Sequence, residues 1–353
     1  MTAPAALIDA LKWQGAGCVA MGSAFSGALL DHAAAALNDQ PALRAVFAPW
    51  RDLSRAELFA EAVALRWLGA LHDLALEDPP GALAATYPGA GRPGDADQAW
   101  PLILGIMETD AARIAAFMGH EPQTNEVRRS AVLLPGFLTI AADTGLPMRV
   151  LELGASAGLN QLWDQRRYRL RETGEWGPAT ARLALDIEWR GEPPPLEATV
   201  RVEARAACDR KPVDLTDPVQ RRRLKAYVWP DQTDRLERLE AAIAETLAAG
   251  IVVDAQDAVV WTRHKARPCP GVATVVFHSV FFGYMPAESQ AALVQALADA
   301  GARATPEAPL AWLRMEPPAD NPATMELRLT LWPGGEDRRL AVAHPHGAWI
   351  EWL

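Results

Sequence analysis

The stretch Val150-Leu-Glu-Leu-Gly-Ala-Ser-Ala-Gly-Leu-Asn160 is the most informative part of the chain. A short apolar run closes on Gly154, which permits a tight turn, and Gly158 lets the backbone and the following helix approach closely. A helix that begins here presents its N–H groups to a ligand. The stretch therefore predicts a strand, a glycine loop and a helix, which together begin an α/β domain.

The pattern of predicted secondary structure changes just before this loop. Residues 1–147 have almost no strand signal, and apolar residues recur there at helical spacing over 55–76, 100–119 and 127–142. After the change, helical patterns alternate with short apolar runs at 149–153, 251–253, 272–277 and 310–313. We therefore expect a helical N-terminal domain over 1–147 and an α/β domain with a mostly parallel sheet over 148–353.

The C-terminal segment departs from this alternation. Met325 to Leu331 and Leu340 to His344 are two consecutive strand-like runs, separated by the turn Trp332-Pro-Gly-Gly335 and by no helix. Two strands joined in this way predict an antiparallel hairpin. The expected fold class is α/β, with a helical N-terminal domain and a mostly parallel sheet closed by this hairpin.

Composition excludes several functions. Half of the 353 residues are hydrophobic and 22% are charged, as in soluble globular proteins, and a net charge of −10 argues against a nucleic-acid partner. No apolar run reaches the ~20 residues of a membrane helix, so we expect no membrane partner and a cytoplasmic location. Histidines lack metal-ligand grouping, so no metal site is predicted, and the cysteines are scattered singly at Cys18, Cys208 and Cys269.

The glycine loop has the spacing E-x-G-x-x-x-G, with Glu152 two residues before the first glycine. It is not the G-x-G-x-x-G of a dinucleotide site, which argues against a nicotinamide oxidoreductase. The spacing resembles motif I of class I S-adenosylmethionine (SAM) methyltransferases, in which the carboxylate helps to orient the cationic cofactor. This resemblance assigns SAM contacts to Glu152, Gly154, Ala155, Ser156, Gly158 and Asn160.

Two later segments continue the resemblance. Ala207-Cys-Asp-Arg-Lys-Pro212 resembles the G-x-D-x-x-P element that ends the second methyltransferase strand, which would give Asp209 the ribose hydroxyls. Asp254-Ala-Gln-Asp-Ala258 resembles the loop beside the adenine, so Asp257 and Ala258 take that position. The loop, the two acids and the terminal hairpin follow one another in the order that the methyltransferase fold requires. The resemblance therefore implies a Rossmann-like sheet of the class I methyltransferase type, closed by the antiparallel C-terminal hairpin.

One spacing does not fit a simple βαβ unit. Asp209 lies 55 residues after Gly154, whereas the acid of such a unit follows about 20 residues on. We therefore expect an insertion over about 164–197. If there is none, Asp186 or Glu188 is the ribose acid instead.

Three blocks of sequence together are similar to a bacterial family, domain of unknown function 2332, from roughly Gly22 to the C-terminus. The blocks are Gln123-Thr-Asn-Glu-Val127, Leu151 to Asn160 with Trp163-Asp164, and Val228-Trp-Pro-Asp-Gln232. The resemblance implies a helical part joined to a SAM-methyltransferase-like domain, and it implies no substrate. Gln161 is a departure, because an apolar residue is expected there.

The first block packs polar residues immediately before an apolar helix. In one interpretation Thr124 or Asn125 caps that helix. In the other, which the resemblance favours, the turn reaches over the cofactor, and Asn125 and Glu126 contact cofactor or substrate.

The run Phe277 to Tyr284 follows a strand and is expected beyond the carboxyl end of the sheet, where substrates bind in such folds. His278 is our candidate general base, and Tyr284 is expected to line the acceptor pocket. The alternative is that His278 is a hydrogen-bonded structural residue.

Two functions from different classes remain. The first is a SAM-dependent methyltransferase that acts on a small molecule or a protein side chain, with the helical part as a lid. The second is a catalytically silent SAM- or nucleoside-binding sensor or partner protein. The sequence does not identify the methyl acceptor or the oligomeric state.

Overall fold

The computed structural model describes residues 4–89, 91–321 and 323–353. Two compact units divide the chain. The first unit contains residues 1–124 and 215–239, and the second contains residues 125–214 and 240–353. Each unit is therefore built from two separate segments of sequence.

The α-helices of the described residues are α1 (Ala5–Ala20), α2 (Ala24–Ala36), α3 (Pro41–Phe47), α4 (Arg55–Ala60), α5 (Val63–Glu77), α6 (Ala82–Thr86), α7 (Ala96–Thr109), α8 (Ala111–Met118), α9 (Arg129–Thr144), α10 (Pro218–Ala226), α11 (Thr233–Ala248), α12 (Ala258–Lys265) and α13 (Ala287–Gly301). Short 3₁₀ helices lie at Ala48–Trp50, Leu159–Gln165 and Phe282–Tyr284. Within the described ranges, no helix is both long and apolar enough to cross a membrane.

The strands are β1 (Met148–Leu153), β2 (Arg167–Leu170), β3 (Gly174–Trp176), β4 (Ala184–Arg190), β5 (Val202–Asp209), β6 (Asp254–Ala255), β7 (Ala273–Ser279), β8 (Leu310–Glu316), β9 (Met325–Trp332), β10 (Glu336–Ala343) and β11 (Trp349–Trp352). All of them belong to the second unit. The predicted alternation of strands and helices is thus confirmed for this part of the chain, with the strand near 251–253 lying slightly later, at β6.

The first unit is helical, and its core is formed by large apolar side chains such as Phe47 and Trp67. The pattern over 55–76 predicts one helix, but the structure has two, because Ala62 adopts a left-handed conformation (φ 50°) between α4 and α5. A reciprocal capping box between Ser54 and Glu57 begins α4. The apolar periodicity therefore predicted the helical character of this stretch and missed the break.

The third sequence block, Val228 to Gln232, lies in this helical unit. The Ser23 hydroxyl, which precedes α2, donates a hydrogen bond to the Asp231 carboxylate. The Gln232 side-chain amide donates to the carbonyl of Met21 at 3.0 Å. The polar residues of this block thus fix the start of α2.

The second unit contains one mixed, mostly parallel sheet, in the order β3-β2-β4-β11-β10-β9-β8-β7-β1-β5-β6. Strand β1 pairs in parallel with β5 along one edge and with β7 along the other. Parallel pairing continues from β5 to β6 and from β7 to β8. The chain therefore runs outward to one side of β1 through β5 and β6, and then to the other side through β7 and β8.

The predicted hairpin is present as β9 and β10, and β9 is antiparallel to β8. The prediction that the hairpin closes the sheet was wrong. The outer edge of β10 has backbone donors and acceptors that need partners, and β11 supplies them before pairing with β4. The segment expected as an insertion holds β2, β3 and β4, which extend the same sheet beyond the hairpin.

Helix α9 was expected in the N-terminal domain, but it belongs to the second unit, whose first segment begins at residue 125 rather than 148. The reason is its packing on the sheet. The Phe137 ring stacks on Trp163 with centroids 3.8 Å apart and meets Phe277 of β7 edge-on at 5.2 Å. Gly136 lies so close to Leu313 of β8 that a Cβ there would overlap that side chain.

Substitution of Phe137 by alanine should lower the free energy of unfolding by about 3–5 kcal/mol, since it leaves a cavity between α9 and the sheet. Guanidinium denaturation measures this change. Val252→Ala is the control, because Val252 is 76% exposed, and it should stay within about 0.5 kcal/mol of wild type. A loss below about 1 kcal/mol for the phenylalanine variant would contradict the packing described.

Candidate functional site

The glycine loop begins where β1 ends, at the carboxyl edge of the parallel strands. Gly154 (φ 62°), Ser156 (φ 52°) and Gly158 (φ 72°) all have left-handed backbone conformations, so the loop turns sharply three times in five residues. It leads into the 3₁₀ helix Leu159–Gln165, not into the α-helix that the sequence predicts. The loop is therefore tight and is followed by only a short helical segment.

The two glycines are also required by packing. A Cβ at Gly154 would overlap the ring of Phe281, which follows β7. A Cβ at Gly158 would lie 2.9 Å from the side chain of Ile251 and 3.1 Å from that of Val253. Side chains from outside the loop thus approach its backbone closely at both glycines.

Asp209, the last residue of β5, contacts the loop directly. One carboxylate oxygen accepts the N–H of Ser156 at 2.9 Å, and the other accepts the N–H of Lys211 at 2.8 Å. The alternative acids, Asp186 and Glu188, lie on β4, with five strands between β4 and β1. At ~4.8 Å per strand, they are about 29 Å from the loop. Of the three candidates, Asp209 is the one beside the glycine loop.

Asp257 lies one strand further out, after β6. Its carboxylate caps α12 by accepting the N–H groups of Val259 and Val260 at 2.9 and 3.0 Å, and the residue is exposed. Ala258 is the buried first residue of that helix. Asp257 therefore has a structural role as a helix cap and still presents its second oxygen to solvent.

Glu152 is buried near the end of β1, with 4% of its surface exposed. The Gln161 side-chain amide donates a hydrogen bond to it at 3.0 Å. Burial raises the pKa of Glu152 to about 8, although the Gln161 bond and the charge of Arg166 favour ionisation. The carboxyl group is therefore largely protonated at neutral pH. Gln161, the departure from the expected apolar residue, supplies the polar partner that this buried acid needs.

Asn125 joins the two sides of the glycine loop. Its side-chain N–H donates to the carbonyl of Ala155 at 3.2 Å, and its side-chain oxygen accepts the N–H of Leu159 at 3.1 Å. Helix α9 begins only at Arg129, so these bonds stabilise the loop and not the start of that helix. The first sequence block thus reaches the glycine loop and contacts its backbone.

Glu126 lies beside the same loop. The Asn160 side chain donates to the carbonyl of Glu126 at 3.4 Å, and the Glu126 carboxylate accepts the N–H of Arg128 at 3.1 Å. Glu126 is 3% exposed. The structure thus brings Asn125, Glu126 and Asn160 together around the loop.

Two arginines hold the 3₁₀ helix in place. The fully buried Arg166 donates to the carbonyl of Leu159, and its guanidinium lies 3.5 Å from Glu245 of α11. Arg205 of β5 binds both carboxylate oxygens of Asp164, at 2.8 and 2.9 Å. This bidentate pair explains the aspartate in the second sequence block, and neither arginine was identified from the sequence.

Three buried side-chain oxygens of the loop region have no hydrogen-bond partner among the described residues. They are Ser156 Oγ, Asn160 Oδ1 and Gln161 Oε1. A buried polar atom without a partner costs about 1–3 kcal/mol. Such atoms, concentrated within six residues, suit a loop that binds a polar ligand.

His278 and Tyr284 are placed differently from the loop residues. His278 is fully buried; its Nδ1 lies 2.6 Å from the Glu316 carboxylate, and its Nε2 accepts the indole N–H of Trp312 at 3.0 Å. Both ring nitrogens are engaged, which is the arrangement expected of a structural histidine. Tyr284 is 79% exposed.

Sequence reasoning missed Phe281 and Glu316. Glu316 is the last residue of β8, so it ends a parallel strand at the same edge as Asp209. Its position at a strand end is a signal that the sequence carries, whereas the contact of Phe281 with Gly154 is visible only in three dimensions. Among the described residues, no group of three or more histidine, cysteine or acidic side chains is arranged to hold a metal.

Replacement of Asn125 should loosen the loop. In Asn125→Gly both side-chain bonds are lost while φ 26° is tolerated, so the Leu159 amide should exchange with solvent at least tenfold faster in hydrogen-exchange experiments. Asn125→Ala should add backbone strain and lower stability further. Unchanged protection of Leu159 in the glycine variant would show that Asn125 does not hold the loop.

The raised pKa of Glu152 predicts how stability depends on pH. The folded state keeps a proton that the unfolded state releases above its ordinary pKa of 4.5, so the free energy of unfolding should fall as pH rises from 4.5 to 8. Glu152→Gln should remove this fall, measured by denaturation at several pH values. The exposed Glu197→Gln is the control and should keep the wild-type slope. An unchanged slope in Glu152→Gln would contradict a protonated, buried Glu152.

Comparison with protein-family models matches residues 8–352 to the family described as "Uncharacterized protein conserved in bacteria (DUF2332)". A search among curated proteins found no match.

Proposed function

The chain belongs to the DUF2332 family, and we propose that it binds SAM at the glycine loop and transfers the methyl group to a small molecule or a protein side chain. One observation carries the proposal. Glu152, Asp209 and Asp257 lie at or just beyond the carboxyl ends of the neighbouring parallel strands β1, β5 and β6, and Asp209 contacts the loop directly. A cationic cofactor with ribose hydroxyls suits such an arrangement of carboxyl groups.

The strand order supports a ligand at this edge. Numbered among themselves along the chain, the five parallel strands β6-β5-β1-β7-β8 have the order 3-2-1-4-5. In open α/β sheets of this order, ligands bind beyond the carboxyl ends where the order reverses, which is between β1 and β7 here. The antiparallel β9 beside β8 favours a methyltransferase over a dehydrogenase sheet.

The loop fits SAM better than a dinucleotide. A pyrophosphate uses the N-terminus of a long helix, whereas this loop leads into short 3₁₀ turns that are interrupted by a kink at Leu162. SAM has no pyrophosphate, and its ammonium group has three N–H donors for oxygens such as those of Asn160 and Gln161. Each Asp209 oxygen has accepted one N–H and can accept a further bond from a ribose hydroxyl.

The residues of the chain would then have simple tasks. SAM, when bound, supplies an electrophilic methyl group on its sulfonium. Asp209 and Asp257 would hold the nucleoside part, and Glu152, which burial keeps largely protonated in the free protein, would lose its proton beside the cationic part. Methyl transfer depends mainly on alignment and on exclusion of water, and a base is needed only for a protonated nucleophile. His278 is assigned no proton transfer, because both of its nitrogens are bonded.

The second candidate function is a catalytically silent SAM- or nucleoside-binding protein. The structural use of His278 and the exposed position of Tyr284 favour it, because neither provides a base at a closed acceptor site. Both candidates share the same ligand site and differ only in whether S-adenosylhomocysteine is formed from SAM.

Calorimetry with SAM, S-adenosylhomocysteine and NAD tests the ligand. Both adenosyl ligands should bind and NAD should not. Asp209→Asn should weaken adenosyl binding at least tenfold, about 1.4 kcal/mol, because a carboxylate acceptor is lost. Asp186→Asn on β4 is the matched control and should bind as wild type does. Absence of adenosyl binding at up to about a millimolar, or equal affinities in the two variants, would refute the site.

Product formation separates the two candidate functions. Purified protein that binds SAM is incubated with fractionated bacterial extract, and S-adenosylhomocysteine is quantified by mass spectrometry. If S-adenosylhomocysteine is formed only with a particular extract fraction, and is not formed by Asp209→Asn, the protein is a methyltransferase. If the protein binds SAM but forms S-adenosylhomocysteine with none of the fractions, it is the catalytically silent binding protein.

A further inference from the structure

The turn that follows β7 lies against the glycine loop. Three ring carbons of Phe281 are the atoms that a Cβ at Gly154 would meet first. The half-buried ring therefore covers the first glycine of the loop, at the carboxyl end of β1. This is the side on which a ligand would approach if it binds where the strand order reverses.

The position of this ring is set by Glu316. Its carboxylate accepts the backbone N–H of Phe281 at 2.9 Å and that of Phe282 at 3.2 Å, and it lies 2.6 Å from Nδ1 of His278. Trp312 fixes the other nitrogen of the same imidazole. The Glu316 carboxylate thus binds two backbone N–H groups of the turn and the side chain of His278 near the end of β7, which accounts for this buried histidine.

The turn is held in a strained conformation. Val280 has φ 52°, in the left-handed region that a β-branched residue rarely adopts. Its N–H donates to the carbonyl of Met315 at 2.9 Å. On the far side, the Gln290 side chain binds the carbonyls of Phe282 and Met285 at 3.1 and 3.0 Å. The strained residue therefore lies next to Phe281, between two anchored points.

We propose that Glu316 is a positioning residue that holds Phe281 over Gly154, and that the ring is a gate which must turn away before a ligand reaches the loop. The inference rests on the proposed function, since it concerns access to the same site. Relief of the strain at Val280 favours the opening, and the bonds to Glu316 oppose it. The gate would admit ligand only while this turn rearranges.

Ligand association tests the gate. With S-adenosylhomocysteine as the probe, Phe281→Ala should raise the association rate constant at least tenfold in stopped-flow measurements. Phe282→Ala is the matched control, because that ring lies in the same turn and also contacts His278, with centroids 6.0 Å apart, whereas the nearest atoms to a Cβ at Gly154 are those of the Phe281 ring. It should leave the rate within about threefold of wild type. Glu316→Ala should resemble Phe281→Ala, and Glu316→Gln, which keeps an acceptor oxygen, should restore the slow rate.

Hydrogen exchange of the free protein provides a readout without ligand. The amides of residues 154–159 should exchange faster in Phe281→Ala and Glu316→Ala than in wild type or Phe282→Ala. Faster exchange with no adenosyl binding in any variant would refute the proposed ligand while supporting the ring as a cover. Unchanged exchange in both variants would overturn the gate. So would tenfold weaker binding in Phe281→Ala, which would show that the ring contacts the ligand instead of blocking it.

Discussion

The parallel pairing of β1 with β5 on one edge and with β7 on the other determines where the candidate site lies. The register places Leu153 beside Cys208 and Glu152 beside Phe277, so the three strands end at nearly the same level. Three segments distant in sequence therefore meet at one edge of the sheet. These are the glycine loop, the turn after Asp209 and the turn that contains Phe281.

The chain itself fixes the conformation of the glycine loop. Asp209 binds one backbone N–H of the loop, and Asn125 binds a carbonyl and an N–H on opposite sides of it. Beneath the loop, Glu152 and Gln161 form a buried polar pair. A loop constrained in this way is preorganised, which lowers the entropy lost when a ligand binds. The side-chain oxygens of Ser156, Asn160 and Gln161 are the part of this network that the described residues leave without a hydrogen-bond partner.

The parts of the fold that the sequence predicted depend on local patterns. The strand-loop element at Gly154 and the hairpin of β9 and β10 follow from residues adjacent in sequence. The pairing of β11 with β4 does not, because it joins segments more than a hundred residues apart. Helix α9 could not be assigned to its unit for the same reason, since its apolar face fits a helical bundle or a sheet equally well.

The residues of the candidate site were likewise predictable only where a local motif marks them. Asp209 could be predicted because its motif is recognised from the spacing of adjacent residues. In the structure its carboxylate accepts the N–H of Ser156 in the loop. The environment of His278 was not predictable, because its partners Trp312 and Glu316 lie 34 and 38 residues away on a neighbouring strand. A histidine in an apolar run has the same local sequence whether it is a base or a structural residue. Only its partners distinguish the two roles.

The most direct test of the central claim is a crystal structure of the protein with S-adenosylhomocysteine. The account predicts electron density for the ligand against residues 154–158, with the ribose hydroxyls on Asp209 and the Phe281 ring displaced from Gly154. Ligand density at any other place, or a glycine loop without ligand in crystals grown at saturating concentration, would contradict it.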